Sequence, residues 1–115
     1  MRIINLTKNT VLAEEARTAN NFFTRLTGLL NRNSLKEGEA LILAPSNAIH
    51  SLFMRFTIDV LFLDKTGKVI GARPSFKPFR CSPIYFNSRT TIELPEGKIQ
   101  ATQTQPGDII HITYY

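Results

Sequence analysis

The sequence lacks most of the residues that mark secreted, membrane-spanning or metal-binding proteins. It has no tryptophan and one cysteine, Cys81, so an internal disulfide is excluded and nothing indicates an oxidising compartment. No apolar run approaches the length of a membrane-spanning helix, and no secretory signal follows Met1. Two histidines and one cysteine at no recognised spacing do not make a metal site. These absences predict one cytoplasmic domain over residues 1–115, with no cofactor, no metal and no membrane partner.

Acidic residues are absent from one long stretch of a chain that carries a net charge of +5. No acid lies between Asp64 and Glu93, although six of the 14 basic residues do; the other eight are balanced by nine acids. The six basic residues of this block are Lys65, Lys68, Arg73, Lys77, Arg80 and Arg89. The positive excess of the protein therefore belongs to one segment, as expected of a surface that meets an anionic partner.

The densest apolar run lies between His50 and Gly67 and reads HSLFMRFTIDVLFLDKTG. In an extended chain its even-numbered residues would lie on one face and its odd-numbered residues on the other. Because both faces are mostly apolar, we expect this segment to be buried on both sides at the centre of the fold. One strand of this length would be unusual, so we expect a break near Thr57 and two strands.

Short runs of strand character alternate with turn residues along the rest of the chain. We predict a hairpin loop at 65–67, irregular structure at 74–83, a helical turn within 98–104, and strands at 2–6, 11–13, 39–43, 68–72, 84–86, 90–94 and 109–115. An amphipathic helix at about 18–30, capped by Thr18, is predicted from apolar residues at helical spacing: Phe22, Phe23, Leu26, Leu29 and Leu30. This pattern predicts a sandwich or barrel of short strands with one added helix.

Several short segments of the sequence form a recognisable set: RLTGLL (25–30), GEALI (38–42), FMRFTIDVLFLD (53–64) with Gly67 and Val69, LPEG (94–97) and Gly107-Asp108. Together they resemble domain-of-unknown-function family 192, and the resemblance spans about Leu12 to the C-terminus. The family often has tryptophan at the position of Phe53 and methionine at that of Leu30, and both differences keep an apolar residue. The resemblance implies a compact, jelly-roll-like β domain and no established activity, cofactor or catalytic residue.

Together these observations predict a mainly β domain. We expect a jelly-roll-like sandwich or partly closed barrel of short strands, with one helix at about 18–30 in the N-terminal half of the chain.

Three polar residues within and beside the apolar run are candidates for a catalytic site. Asp59 is costly to bury unless it is paired, and Arg55 could reach it if the chain bends near Thr57. One interpretation makes Asp59 an acid, a base or a ligand anchor, together with His50, whose charge changes near neutral pH. The other interpretation, which we favour, is a structural Arg55–Asp59 ion pair that holds the bend.

The basic block gives the strongest functional hypothesis because aromatic residues alternate with its cations. Cationic side chains bind phosphates, and aromatic rings stack on bases. The candidate ligand-binding residues are Arg73, Lys77, Arg80, Arg89, Phe76, Phe79 and Tyr85, with Phe86 beside them. The competing interpretation is a solvated basic loop whose aromatic residues anchor it to the core. Cys81, next to Arg80, is either a reactive thiol or, as we favour, a partly buried small residue.

These observations favour a small non-enzymatic module that binds nucleic acid or another anionic ligand through residues 65–89. An enzyme with a polar site at His50, Arg55 and Asp59 is the alternative. A protein-interaction module that uses exposed phenylalanines is a third hypothesis. The sequence contains no phosphate-binding glycine loop and no established nucleic-acid-binding motif.

Overall fold

The part of the chain that the structure describes is built around two β-sheets. A computed structural model describes residues 1–19, 35–49 and 55–114 of the chain. The strands within these residues are β1 (Arg2–Asn5), β2 (Thr10–Ala13), β3 (Glu15–Thr18), β4 (Glu39–Leu43), β5 (Ile58–Leu63), β6 (Val69–Phe76), β7 (Thr90–Pro95) and β8 (Ile110–Thr113). One short helix, α1 (Lys98–Ala101), follows β7. The prediction of a mainly β fold is confirmed, and the finer jelly-roll-like arrangement stays a prediction.

The smaller sheet has three strands in the order β2-β1-β8. Strand β1 pairs antiparallel with β2 and with β8, so Arg2 lies opposite Thr113. Ile3 and Asn5 of β1 point into the protein and are fully buried. No helix in the part of the chain that the structure describes is long and apolar enough to cross a membrane.

The larger sheet has five strands in the order β3-β4-β7-β5-β6. Strands β3 and β4 pair in parallel, and the other three pairs are antiparallel. The predicted hairpin connects β5 to β6, and Gly67 supplies the left-handed backbone that its turn needs, at φ 88°. Strand β6 therefore forms one edge of this sheet.

Strand β5 is buried along its whole length, as the apolar run predicted. Residues 55–57 lie outside any strand and β5 begins at Ile58, which agrees with a break near Thr57. Leu61 and Leu63 point into the inter-sheet core, where they meet Ile3 and other residues of the smaller sheet. The second face of the large sheet carries another apolar set, the second-face cluster: Ala19, Leu35, Leu41, Leu43, Ile49, Ile58, Val60, Phe62 and Phe76.

A buried polar network joins β1 to the turn before β8. The amide of Asn5 donates to Asp108 at 2.9 Å and to Thr104 at 3.0 Å. Lys8 forms an ion pair with Asp108 at 3.0 Å. Burial alone would raise the pKa of Asp108, but the hydrogen bonds from Asn5 and Lys8 outweigh it and leave the pKa below its ordinary value. The network therefore favours the charged carboxylate.

The helix predicted at about 18–30 does not begin at Thr18. Thr18 is the last residue of β3, where Ala16 is buried and lies opposite Ala40 in the parallel pair. Pairing with β4 outweighs the weak strand preference of the segment EART. Residues 20–30 of the predicted helix lie outside the described residues.

Two predicted segments on either side of the basic loop also differ from the structure. Residues 74–76 belong to β6 rather than to irregular chain, because a proline is tolerated on an edge strand. Residues 84–86 are not a strand. The backbone of Tyr85 is hydrogen-bonded to Asn47 and Ser88 instead, which directs its ring onto the large sheet.

Candidate functional site

Asp59 sits inside the protein and is held by backbone groups alone. Its carboxylate accepts the N–H groups of Ser75, Gly97 and Ile99 at 2.9, 3.1 and 2.8 Å. Arg55 is exposed, and no ion pair between it and Asp59 occurs among the described residues. The expected Arg55–Asp59 pair is therefore absent, and backbone donors satisfy the carboxylate. His50, the third residue of the predicted polar site, lies outside the described residues.

Three cations of the basic block lie on the edge strand β6 or next to its ends: Lys68 precedes the strand, Arg73 lies within it and Lys77 follows it. Lys65 and Lys68 lie at the hairpin end, and Arg89 returns there because its N–H donates to Leu63 at 2.7 Å. Lys77 directly follows the opposite end of β6. The seven residue steps from Val69 to Phe76 span about 23 Å. Together with Arg73 and Arg80 these residues form the basic strip. All except Arg73 are exposed.

The aromatic residues of this region divide into exposed and buried sets. Phe79 is 61% exposed and Phe86 is 84% exposed, so both rings are presented to solvent beside the basic strip. Phe76 packs in the second-face cluster and is buried, which corrects its expected place on the surface. Phe76 lies at the end of β6 directly opposite Ile58, so both side chains project to the second face of the large sheet.

Arg73 and Tyr85 form a linked pair on the second face of the large sheet. The Nε–H group of Arg73 donates to the Tyr85 hydroxyl at 3.0 Å. The Tyr85 ring stacks on Phe62, with 4.2 Å between ring centroids and 25° between planes. The ring also lies directly over Gly71, whose lack of a side chain makes room for it. The loop after β6 is therefore anchored to the sheet at this point.

Glu93 is a buried acid that the sequence interpretation overlooked. It lies at the centre of β7 and is 6% exposed. Burial raises its pKa to about 7. Desolvation is the cause of the raised pKa, and no hydrogen bond from another described residue opposes it. A single acid within the otherwise uncharged strand TTIELP was the signal that could have found it.

A cavity of about 280 Å³ is lined by Pro45, Ser46, Asn47 and Ser88. Ser46 accepts a hydrogen bond from the buried Thr91 hydroxyl at 2.7 Å. The cavity therefore lies against the second face of the large sheet, two residues along β7 from Glu93.

The structure bears on two further groups, the metal-ligating side chains and Cys81, and it contradicts the favoured interpretation of Cys81 as a partly buried residue. No group of three or more metal-ligating side chains converges within residues 1–19, 35–49 and 55–114. Cys81 is exposed rather than partly buried.

Comparisons with known proteins identify relatives along nearly the whole chain. A family model described as "Uncharacterized ACR" matches residues 3–112. A UPF0127 protein of Pyrococcus furiosus is 32% identical over 112 residues, which cover 92% of this chain and 93% of its own. Another from Pyrococcus horikoshii is 32% identical over 114 residues, covering 94% and 96%.

The fold also recurs in a solved structure. A crystal structure of a protein of unknown function from Novosphingobium aromaticivorans superposes with a TM-score of 0.84. The match covers 97% of this chain and 84% of that chain. Because the identity is 17%, this likeness concerns the fold alone.

Proposed function

We propose that this chain, which belongs to domain-of-unknown-function family 192, is a non-enzymatic module that binds an anionic ligand along the basic strip. The family is described as uncharacterised, so the proposal rests on the residues of this chain. The observation that supports it is a run of six cations with no acid between them in sequence, of which Lys68, Arg73 and Lys77 lie on or directly beside the edge strand β6.

The shape of the basic strip favours an extended anion. Lys68, Arg73 and Lys77 are spread along the length of β6 rather than gathered around one point, so a chain of phosphates could contact them in turn. Phe79 and Phe86 stand exposed beside the strip, where bases could stack on their rings. Single-stranded nucleic acid combines both features and is the ligand that we propose.

Titration with a short labelled single-stranded oligonucleotide tests this function. Binding measured by fluorescence anisotropy should weaken steeply between about 50 and 200 mM salt, because counterions are released from each phosphate that a cation neutralises. Replacing Lys77 and Arg89 by glutamine should reduce the slope of log K against log salt by about 0.7 for each phosphate that the variant no longer neutralises.

Matched variants separate the basic strip from a general effect of positive charge. Lys36→Gln removes one exposed cation just before β4, and β7 and β5 separate β4 from β6 in the large sheet. This substitution should leave binding nearly unchanged. Phe86→Ala should weaken binding by about 1–3 kcal/mol without changing the salt slope, because stacking is independent of salt. Absence of binding at low salt, or equal losses for Lys77→Gln and Lys36→Gln, would exclude the proposed ligand.

The exposed rings also favour a second candidate, a protein-interaction module. Phe79, Ile84 and Phe86 are all more than half exposed within eight residues of chain. Sedimentation velocity over a range of concentrations tests self-association through them. Association that Phe86→Ala abolishes, at a salt concentration where no oligonucleotide binds, would favour this function over the first.

A further inference from the structure

The loop after β4 and the loop before β7 are joined side by side, and residues of both line the cavity of about 280 Å³. The N–H group of Tyr85 donates to the carbonyl of Asn47 at 2.8 Å. The N–H group of Ser46 donates to the carbonyl of Arg89 at 2.9 Å. The Ser88 hydroxyl adds a third bond, to the carbonyl of Ser46 at 2.8 Å. These bonds hold the two walls of the cavity in place before any ligand arrives.

The two serines of the cavity offer acceptors rather than donors. Three carbonyl oxygens lie within 3.4 Å of the Ser88 hydroxyl oxygen, so its proton is committed to one of them. The Ser46 hydroxyl donates to the Ala48 carbonyl at 3.3 Å and accepts the proton of the Thr91 hydroxyl at 2.7 Å. Each serine oxygen therefore keeps a lone pair but has no proton to give. Two neighbouring acceptors favour a ligand group that carries two protons.

The size and surroundings of the cavity suit one part of a nucleotide chain. Sites for drug-sized ligands span about 300–1,000 Å³, and this cavity lies just below that range. Phe86, which is 84% exposed, stands two residues before Ser88, and the exposed Arg89 follows it. The turn that carries Phe86 is closed by the N–H group of Ser88, which donates to the carbonyl of Tyr85 at 2.8 Å. Residues 86–89 thus supply an aromatic ring, a polar wall and a cation.

We propose that the cavity holds one base of the single-stranded ligand and selects bases with an exocyclic amino group, cytosine and adenine, over uracil and thymine. The amino group donates its two protons to the oxygens of Ser46 and Ser88. The exposed side-chain amide of Asn47, which has donors and an acceptor, contacts the rest of the ring edge. The neighbouring base stacks on Phe86, and the phosphate between the two bases pairs with Arg89. This inference rests on the proposed function, because it assigns one nucleotide of that ligand to a place beside the basic strip.

Uracil and thymine fit the two serine oxygens poorly. In place of the amino group they carry a carbonyl oxygen, which is itself an acceptor. A carbonyl facing two acceptors gains no hydrogen bond and is repelled by them. Since one neutral hydrogen bond is at stake, we expect the preference for an amino base to be about three- to tenfold.

Cytidine and uridine 5′-monophosphates are matched probes of this preference, because both are pyrimidines with the same sugar and phosphate. In NMR titrations of the whole chain we expect saturable shifts at the backbone amides of residues 46–48 and 85–90. Cytidine monophosphate should bind about three- to tenfold more tightly than uridine monophosphate. An oligocytidylate should likewise bind more tightly than an oligouridylate of the same length.

Variants separate the base contacts from the phosphate contact. Ser88→Ala should abolish most of the cytidine preference, whereas Arg89→Gln should weaken both mononucleotides equally and leave the preference unchanged. Because Ser88 also joins the two loops, Asn47→Ala is a second test. It keeps the Asn47 carbonyl that Tyr85 uses, and it should weaken cytidine monophosphate about three- to tenfold. Gln100→Ala, the control, removes an exposed amide from α1 beyond the other end of β7 and should alter neither probe.

The outcomes distinguish failure of the cavity from failure of the basic strip. Equal affinity of the wild type for the two mononucleotides, while oligonucleotides still bind with a steep salt dependence, would overturn the cavity assignment and leave the proposed function intact. A loss in Gln100→Ala as large as that in Asn47→Ala would overturn it too. Absence of oligonucleotide binding at low salt would overturn the proposed function and this inference with it.

Discussion

The carboxylate of Asp59 accepts the N–H group of Ile99 at 2.8 Å, across forty residues of sequence. Helix α1 has no side-chain cap of its own, since its N-cap residue is Gly97. Asp59 therefore supplies from β5 the acceptor that the first turn of the helix lacks. The same carboxylate binds Ser75, whose φ of 52° marks an irregularity in β6. One buried side chain thus joins two neighbouring strands to the helix.

Asp59→Ala should destabilise the protein strongly. The substitution leaves the three N–H groups that now donate to Asp59 without their acceptor, and each lost bond to a charged group is worth about 1.5–3 kcal/mol. We expect a loss of at least about 3 kcal/mol in urea unfolding, or failure to fold. Asp59→Asn keeps one acceptor oxygen and should lose less. Equal stability of both variants and the wild type would contradict the structural role.

Glu93→Gln should change how stability depends on pH. The pKa of Glu93 is raised from 4.5 to about 7 by burial, so the folded state holds a proton that the unfolded state releases. Stability should therefore fall as pH rises from about 4.5 to about 7, by about 3 kcal/mol in total, and stay low above pH 7. Glutamine stays neutral, so the variant should be more stable than the wild type at alkaline pH.

The Glu93 effect is measured by urea unfolding at several pH values. Glu96→Gln is the control, because Glu96 is exposed and three residues away. If Glu93→Gln and the wild type lose stability in parallel as pH rises, another group causes the dependence.

Gly71→Ala should displace the Tyr85 ring. A Cβ atom at position 71 would lie 2.7 Å from Tyr85 Cζ, closer than real contacts allow. We expect a loss of about 1–3 kcal/mol from overpacking, since the ring must leave Phe62 and Arg73. In the Tyr85→Ala background the same substitution should cost much less. Equal losses in both backgrounds would mean that the strand, rather than the ring, sets the requirement for glycine.

Asp108→Asn should remove part of the stability at neutral pH and flatten its acid dependence. The pKa of Asp108 is lowered in the folded state, so its contribution is present above the unfolded value of 3.8 and is lost as pH falls through the folded pKa. The ion pair with Lys8 and the bond from Asn5 suggest a loss of about 2 kcal/mol. Thermal unfolding at pH 7 and at pH about 3 checks both parts. An unchanged acid dependence would contradict the assignment.

The centre of the fold could be predicted because its sequence pattern is strong. Residues 58–63 are apolar on both faces apart from Asp59, which favours a strand buried on both sides, and Lys65-Thr66-Gly67 carries the turn chemistry of a hairpin. The pairing of β3 with β4 could not be predicted. The segment EART has no apolar period, and its strand form depends on a partner more than twenty residues later in the chain.

The candidate site was only partly predictable for a similar reason. The segregation of positive charge to residues 65–89 is visible in the sequence, and part of this segment forms the edge strand β6. Burial of Phe76 and exposure of Phe86 depend on where the chain leaves β6, which the pattern of residues does not specify. Glu93 lies opposite Val60, and Val60 lies opposite Arg73, because of the register of three strands, and residue types alone do not define that register.

The pairing of Arg2 with Thr113 has a consequence for protein synthesis. Strand β1 can form its hairpin with β2 as soon as both have left the ribosome, but its other edge stays open until β8 emerges. During that interval the unpaired N–H and C=O groups of β1 can join a strand from a neighbouring nascent chain. Slow translation of the last segment would therefore favour aggregation through this edge, and a chaperone that shields it would be most useful before β8 is released.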